Sequence, residues 1–164
     1  MFEELLAALA RANVRFVVVG GLAVVIQGHP RLTADVDLVI DLESSNVRRA
    51  IDALLARGLR PLLPVNAHDF ADEAKRREWV ESRNLTVFSM RDERNPLLTV
   101  DLFAVEPMPF EPLWSRSDRV TLGDQTIHVA SIADLIAMKR AAARPQDAAD
   151  IAELEAIARL RHDS

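Results

Sequence analysis

The sequence predicts an α/β domain: a mixed β-sheet flanked by helices, with two further helices at the C-terminal end. Three observations carry that expectation. Short β-branched runs, such as 15–19 and 36–40, alternate with segments whose apolar residues recur at helical spacing. The links between them are short throughout. At 164 residues the chain is long enough for one core and too short for two, so 1–164 is expected to form a single minimal domain.

Taken in order, Phe2, Leu5, Leu6 and Leu9 fall on one helical face and open the chain with an amphipathic helix. Residues 15–19 form a strand that ends at Gly20-Gly21. Residues 22–27 follow as a helix, stopped by Gly28 and Pro30. The next strand is 36–40, and a helix over 46–56 turns Val47, Ile51, Leu54 and Leu55 inward before Gly58 closes it. Residues 59–63 suggest a short strand, and 69–82 a mostly polar helix. Segments 84–90 and 97–105 read as adjacent strands joined by the polar turn 91–95. Pro107, Pro109 and Pro112 mark a loop. Residues 120–122 and 126–129 flank Gly123-Asp124 as a hairpin. Helices over 132–143 and 145–161 complete the chain.

Apolar residues make up 49% of the chain and charged residues 27%, the balance of a folded domain rather than a disordered segment. There is no cysteine, which excludes disulfides and zinc–thiolate sites and fits a cytoplasmic protein. The longest apolar stretch, 16–26, is broken by the glycine pair and too short to span a bilayer, so no membrane association is expected. No basic region precedes an apolar one near Phe2, so no secretion signal is expected either. A net charge of −5 argues against a broadly basic nucleic-acid surface, although it leaves room for local patches. The four histidines show no metal-ligand spacing.

The chemistry centres on Asp35-Val36-Asp37. Strand side chains alternate, so Asp35 and Asp37 project from the same face of one strand. Two neighbouring carboxylates repel and raise each other's pKa unless something positive lies between them. A hard divalent cation, Mg²⁺ or Mn²⁺, resolves that conflict by taking carboxylate, water and phosphate oxygens. The alternative, a pair of surface aspartates, sits poorly with the apolar run Val36, Leu38, Val39 and Ile40. Asp101 is a lone carboxylate inside the apolar strand Thr99-Val100-Asp101-Leu102-Phe103, where an unpaired charge is expensive. It either completes the metal site, takes a proton from an attacking hydroxyl, or pairs with an arginine. Gly20-Gly21, between a strand and a helix, lets the backbone approach a ligand such as a triphosphate.

Together these residues resemble the polymerase-beta-like nucleotidyltransferase superfamily, whose signature is a glycine pair after a strand, an Asp-x-Asp on the next strand and a distant third aspartate. The finer pattern, Gly-Gly-x-Ala at Gly20 to Ala23 and Arg-x-Thr-x-Asp-x-Asp at Arg31 to Asp37, is similar to the branch that includes the nucleotidyltransferase toxins of type IV abortive-infection toxin–antitoxin systems. The tail, with Lys139 and then Arg144-Pro145-Gln146-Asp147-Ala148-Ala149-Asp150, is similar to the lysine and Asp-x-x-Asp motifs of that branch. Many members of the superfamily carry serine where this chain has Gly21, so one hydroxyl contact to phosphate is absent. The resemblance implies a palm-like nucleotidyltransferase fold and transfer of an NMP group from an NTP, such as ATP, to a hydroxyl on RNA, protein or a small molecule. It further implies Mg²⁺ at Asp35, Asp37 and Asp101, with nucleotide contacts from Gly20, Gly21, Arg31, Thr33 and Lys139.

Two other classes compete with that reading: a non-catalytic, antitoxin-like module that binds a protein partner, and a phosphodiesterase using the same carboxylates with water. Read without the family, Ser131 suits a helix N-cap. Lys139 falls on the core-facing side with Ile132, Leu135 and Ile136, so its ammonium must reach phosphate, an aspartate or solvent. Asp147 and Asp150 are favoured as charges stabilising the start of the last helix over a direct catalytic role. Arg31 either holds phosphate through paired hydrogen bonds or forms a surface ion pair. Lys75-Arg76-Arg77 beside Trp79 reads as a solvated helix face in preference to an RNA contact.

Overall fold

The computed structural model describes residues 2–163. Its strands are β1 (Phe16–Val19), β2 (Asp35–Ile40), β3 (Leu59–Pro61), β4 (Val87–Asp92), β5 (Thr99–Phe103), β6 (Asp118–Leu122) and β7 (Gln125–Val129). They form one sheet in the order β3-β4-β5-β2-β1-β7-β6. It is mixed: β2 runs parallel to β5 and β1 parallel to β7, while the other neighbouring pairs are antiparallel. The central strands are apolar because both faces are covered; all four residues of β1 are buried.

The helices are α1 (Phe2–Arg11), α2 (Gly20–Ile26), α3 (Ser44–Ala56), α4 (Glu73–Arg83), α5 (Phe110–Arg116), α6 (Ile132–Ala142) and α7 (Asp147–His162). α1 packs on β7 and α3, α2 on β1, β2 and α6, and α6 on α7. Leu5, Leu6 and Leu9 of α1 join Val47, Ile51 and Leu54 of α3 in the core, as their helical spacing predicts. Glu43 caps α3 by accepting from the backbone N–H groups of Ser45 and Asn46, and Ser131 caps α6 by accepting from Asp134. No described helix is long and apolar enough to cross a membrane.

Three expectations change. The helix expected over 69–82 is divided into a 3-10 turn, Ala67–Ala71, and α4. Asp72 leaves helical geometry between them and caps α4 with its own carboxylate, which accepts from Ala74 and Lys75. The proline-marked loop contains α5, because Pro109 precedes the helix and Pro112 lies in its first turn, where a missing N–H costs nothing. Lys75-Arg76-Arg77 is not a solvated face throughout. Lys75 and Arg77 form surface ion pairs with Asp69 and Glu73, but Arg76 is buried, donates to the carbonyl of Phe70 at 2.7 Å and lies over that residue's ring. Trp79 is also interior and stacks on Phe88.

Candidate active site

β2 and β5 run side by side, and their register sets Asp37 directly opposite Asp101. Their side chains therefore share one face of the sheet, and the Asp101 carboxyl acts directly on that of Asp37. On the far side of β5, Ser89 of β4 is the register partner of Asp101 and donates its hydroxyl to Asp101 Oδ1 at 2.6 Å. On the far side of β2, Asp37 faces Val19, the last residue of β1. The chain leaves β1 immediately above the Asp37 carboxylate, and Gly20 makes that passage in the left-handed region at φ +66°. A Cβ on Gly20 would lie 2.1 Å from Asp37 Oδ2, so glycine is required by space as well as by conformation. Gly21 faces the loop before β2 instead: a Cβ there would lie 3.1 Å from Thr33 Oγ1 and 3.7 Å from the Arg31 guanidinium carbon.

Burial, the charge of Asp101 and the charge of Asp35 push the Asp37 carboxyl up to about 7, against a smaller downward pull from Arg144. Asp35 stands on the same strand face but is exposed at the start of β2. The structure thus brings Asp37 and Asp101 together and leaves Asp35 at the margin. Among the described residues no three acidic or histidine side chains converge as a metal cage. The donor set nonetheless suits a hard cation: two oxygen-bearing groups set side by side, one of which burial and carboxylate repulsion keep protonated to near neutrality.

Facing this pair across a cavity of about 380 Å³ are Lys139 of α6 and Arg144 of the α6–α7 connection, with Phe103 and Met138 among the apolar walls. Lys139 does not snorkel to solvent. Only 7% of its side chain is exposed, and its ammonium lies 3.4 Å from Asp147 Oδ1 and 3.1 Å from Asp150 Oδ2. Arg144 grips Asp147 with two parallel bonds, Nε to Oδ2 at 2.9 Å and Nη2 to Oδ1 at 3.2 Å. Burial works to raise the Asp147 carboxyl, but the bonds from Arg144 and the charge of Lys139 outweigh it and hold the group below the ordinary carboxylate range. Asp150 receives Arg31 as well as Lys139, and His29 Nε2 lies 3.6 Å from it.

Asp147 and Asp150 do lie in the first turn of α7, but their side chains are spent on these interior ion pairs, beyond any effect on the helix dipole. Arg31 is half of such a pair, and Thr33 donates to the Asp35 carbonyl at 3.2 Å. Sequence reasoning passes over Ser89 and Arg144. The available signals are a serine in the middle of the strand face that also carries Val87 and Arg91, and an arginine three residues before an aspartate.

The family model described as "Nucleotidyl transferase AbiEii toxin, Type IV TA system" matches residues 4–161. No curated protein sequence matches the chain. Among solved structures, the antibiotic-resistance factor ANT(2'')-Ia superimposes with a TM-score of 0.54 at 14% identity, over 99% of this chain and 91% of that one. An antigenic nucleotidyltransferase-like protein from Paracoccidioides brasiliensis gives 0.56 at 16% identity, over 96% of this chain and 73% of that one. At these identities the two structures speak for the fold, and they agree with the mixed sheet described above.

Proposed function

The chain belongs to the nucleotidyl transferase AbiEii toxin family of type IV toxin–antitoxin systems, and from that premise we propose a cation-dependent transfer of an NMP group from an NTP to an acceptor hydroxyl, centred on Asp37 and Asp101. The observation that carries this reading is the buried carboxylate pair lying beneath Gly20 and opposite Lys139 and Arg144. A purely structural core has no use for such a pair, since it costs stability without a compensating partner.

Mg²⁺ or Mn²⁺ fits Asp37 and Asp101, and Asp35 is the third carboxylate available to it on that strand face. When bound, such an ion supplies charge neutralisation for the phosphates and for the developing pyrophosphate. The protein supplies the remainder. Gly20 keeps the turn after β1 free of a side chain where the triphosphate approaches the carboxylates. Gly21, Arg31 and Thr33 set the shape of the adjoining loop, and Lys139 contributes fixed positive charge across the cavity. Asp101, oriented by the Ser89 hydroxyl, takes the acceptor proton as the acceptor oxygen attacks the α-phosphorus. Asp147 and Asp150 support the site by holding Lys139, Arg144 and Arg31 in place. The acceptor is a hydroxyl on RNA, protein or a small molecule in the cytoplasm.

The test is transfer of label from each α-labelled NTP, with Mg²⁺, to acceptors in a cell extract. Asp101→Asn should keep its fold and bind NTP while losing roughly 10²–10⁴-fold in transfer, the usual contribution of general-base catalysis. Undiminished transfer by Asp101→Asn refutes the assigned role. Absence of transfer by the parent protein to any acceptor favours a non-catalytic partner-binding module on the same fold.

A further inference from the structure

Of the two cations lining the cavity, Arg144 is the one whose side chain is largely exposed, at 57%, and it stands opposite the carboxylate pair. Two of its nitrogens, Nε and Nη2, are committed to Asp147, an arrangement that fixes the plane of the group. Nη1 has no protein acceptor among the described residues. Lys139 differs: it is buried and divided between Asp147 and Asp150. Arg144 is thus held firmly on one edge and offers hydrogen-bond donors on the other, the geometry of a preorganised anion ligand.

Its position also has a direction. α6, which leads into Arg144, packs on α2, and α2 lies over β1 and β2, whereas Asp101 stands on β5, on the far side of β2 from β1. On the proposed reading, which this inference rests on, Asp101 marks the side from which the acceptor attacks. In-line displacement at phosphorus sends the leaving group to the opposite side. We infer that Arg144 is a ligand of the leaving pyrophosphate, and that Asp147 is its positioning residue. In the step itself, the acceptor oxygen bonds to the α-phosphorus and its proton passes to Asp101. The bond from the α-phosphorus to the bridging oxygen breaks, and its electron pair stays on that oxygen, where Arg144 meets the new charge.

The experiment measures equilibrium binding of three probes with Mg²⁺: an α,β-methylene NTP, inorganic pyrophosphate and the matching NMP. The proteins compared are the parent, Arg144→Gln, Arg144→Lys and Asp147→Asn, each with a melting curve. Arg144→Gln should weaken the NTP analogue and pyrophosphate by about tenfold or more, the scale of a lost charged hydrogen bond, and change NMP less than twofold. Lysine at 144 should recover part of that loss, since it restores the charge without the fork, and Asp147→Asn should fall between parent and Arg144→Gln. Should Arg144→Gln fail to fold, the lysine and Asp147→Asn proteins carry the comparison through the same pyrophosphate-to-NMP ratio. Parent-like pyrophosphate binding in Arg144→Gln, or an equal loss for all three probes, overturns the assignment while leaving nucleotidyl transfer intact. Failure of the parent to bind the NTP analogue overturns both readings.

Discussion

Replacing Asp37 with asparagine should make the metal-free protein more stable at alkaline pH while removing its response to Mg²⁺. The cause is the proton that Asp37 retains to near neutrality. Its carboxyl is raised to about 7 in the folded chain, against an ordinary 3.8. A carboxyl raised on folding contributes stability that is fully present below its unfolded value and is lost as pH climbs through its folded one. At pH 8.5 the folded protein must therefore hold a charge that the unfolded chain holds more easily, at a cost of roughly 4 kcal/mol as an upper figure, from about 1.4 kcal/mol per pKa unit. Asparagine is neutral, close to isosteric beneath Gly20, and able to donate to Asp101. We expect about 2–4 kcal/mol of added stability at pH 8.5 and little difference at pH 4. The assay is urea unfolding in EDTA at pH 4, 5.5, 7 and 8.5, repeated with Mg²⁺. His128, which burial holds below 6.5, favours the folded state less as pH falls, and that contribution is common to both proteins and cancels. Carboxyls held low, such as Asp147, titrate at the acid end and cancel in the same way. Added Mg²⁺ at pH 8.5 should stabilise the parent and leave Asp37→Asn unchanged. An Asp37→Asn protein no more stable than the parent at pH 8.5, with the same pH slope, would refute the account of a repelled, proton-holding pair.

The two glycines should separate by mechanism. Gly20→Ala sets a Cβ within 2.1 Å of the Asp37 carboxylate at a positive φ, and should cost about 1–3 kcal/mol in unfolding experiments together with NTP binding. Gly21→Ala is tight against the Thr33 hydroxyl alone, at 3.1 Å, so its smaller cost should largely vanish when combined with Thr33→Ala; strictly additive losses would count against that contact. Lys139→Met leaves Asp147 and Asp150 without their shared interior cation and should destabilise by about 3–5 kcal/mol, read from the urea midpoint. A change below about 1 kcal/mol would mean that the ammonium adds little and the lysine contributes only its stem.

The features legible in the sequence are those with a local period. The two-residue alternation of a strand is enough to place Asp35 with Asp37, and Asp101 with Thr99 and Phe103. Helical spacing likewise puts Lys139 on the inward face of α6. The partnerships between strands are not legible, because nothing local states that β5 lies beside β2. The Asp37–Asp101 register, and with it the role of Ser89, depends on that non-local order. Asp35 shows the limit of the alternation argument, for sharing a face does not make two residues equally deep, and the first residue of a strand faces solvent. Arg76 departs from expectation for a different reason. Charge alone suggests the surface, whereas a carbonyl and an aromatic face inside the fold satisfy its guanidinium. The prolines around 109–112 conceal α5, since they break helices in the interior but not in the first turn.

The chain order of the sheet carries a consequence for synthesis. β1 emerges early from a ribosome and soon gains β2, but its other edge waits for β7, whose paired residues His128 and Val129 lie more than a hundred positions downstream. Through most of translation a wholly apolar strand therefore presents an unpaired edge, the kind that recruits other strands. The two cations that line the cavity arrive later still, on α6 and the connection to α7. A nascent chain can bring Asp37 and Asp101 together well before Lys139 and Arg144 exist to face them. On the ribosome the carboxylate pair therefore waits for its facing cations until nearly the last helix, and during that interval the open edge of β1 is the exposure a chaperone would cover.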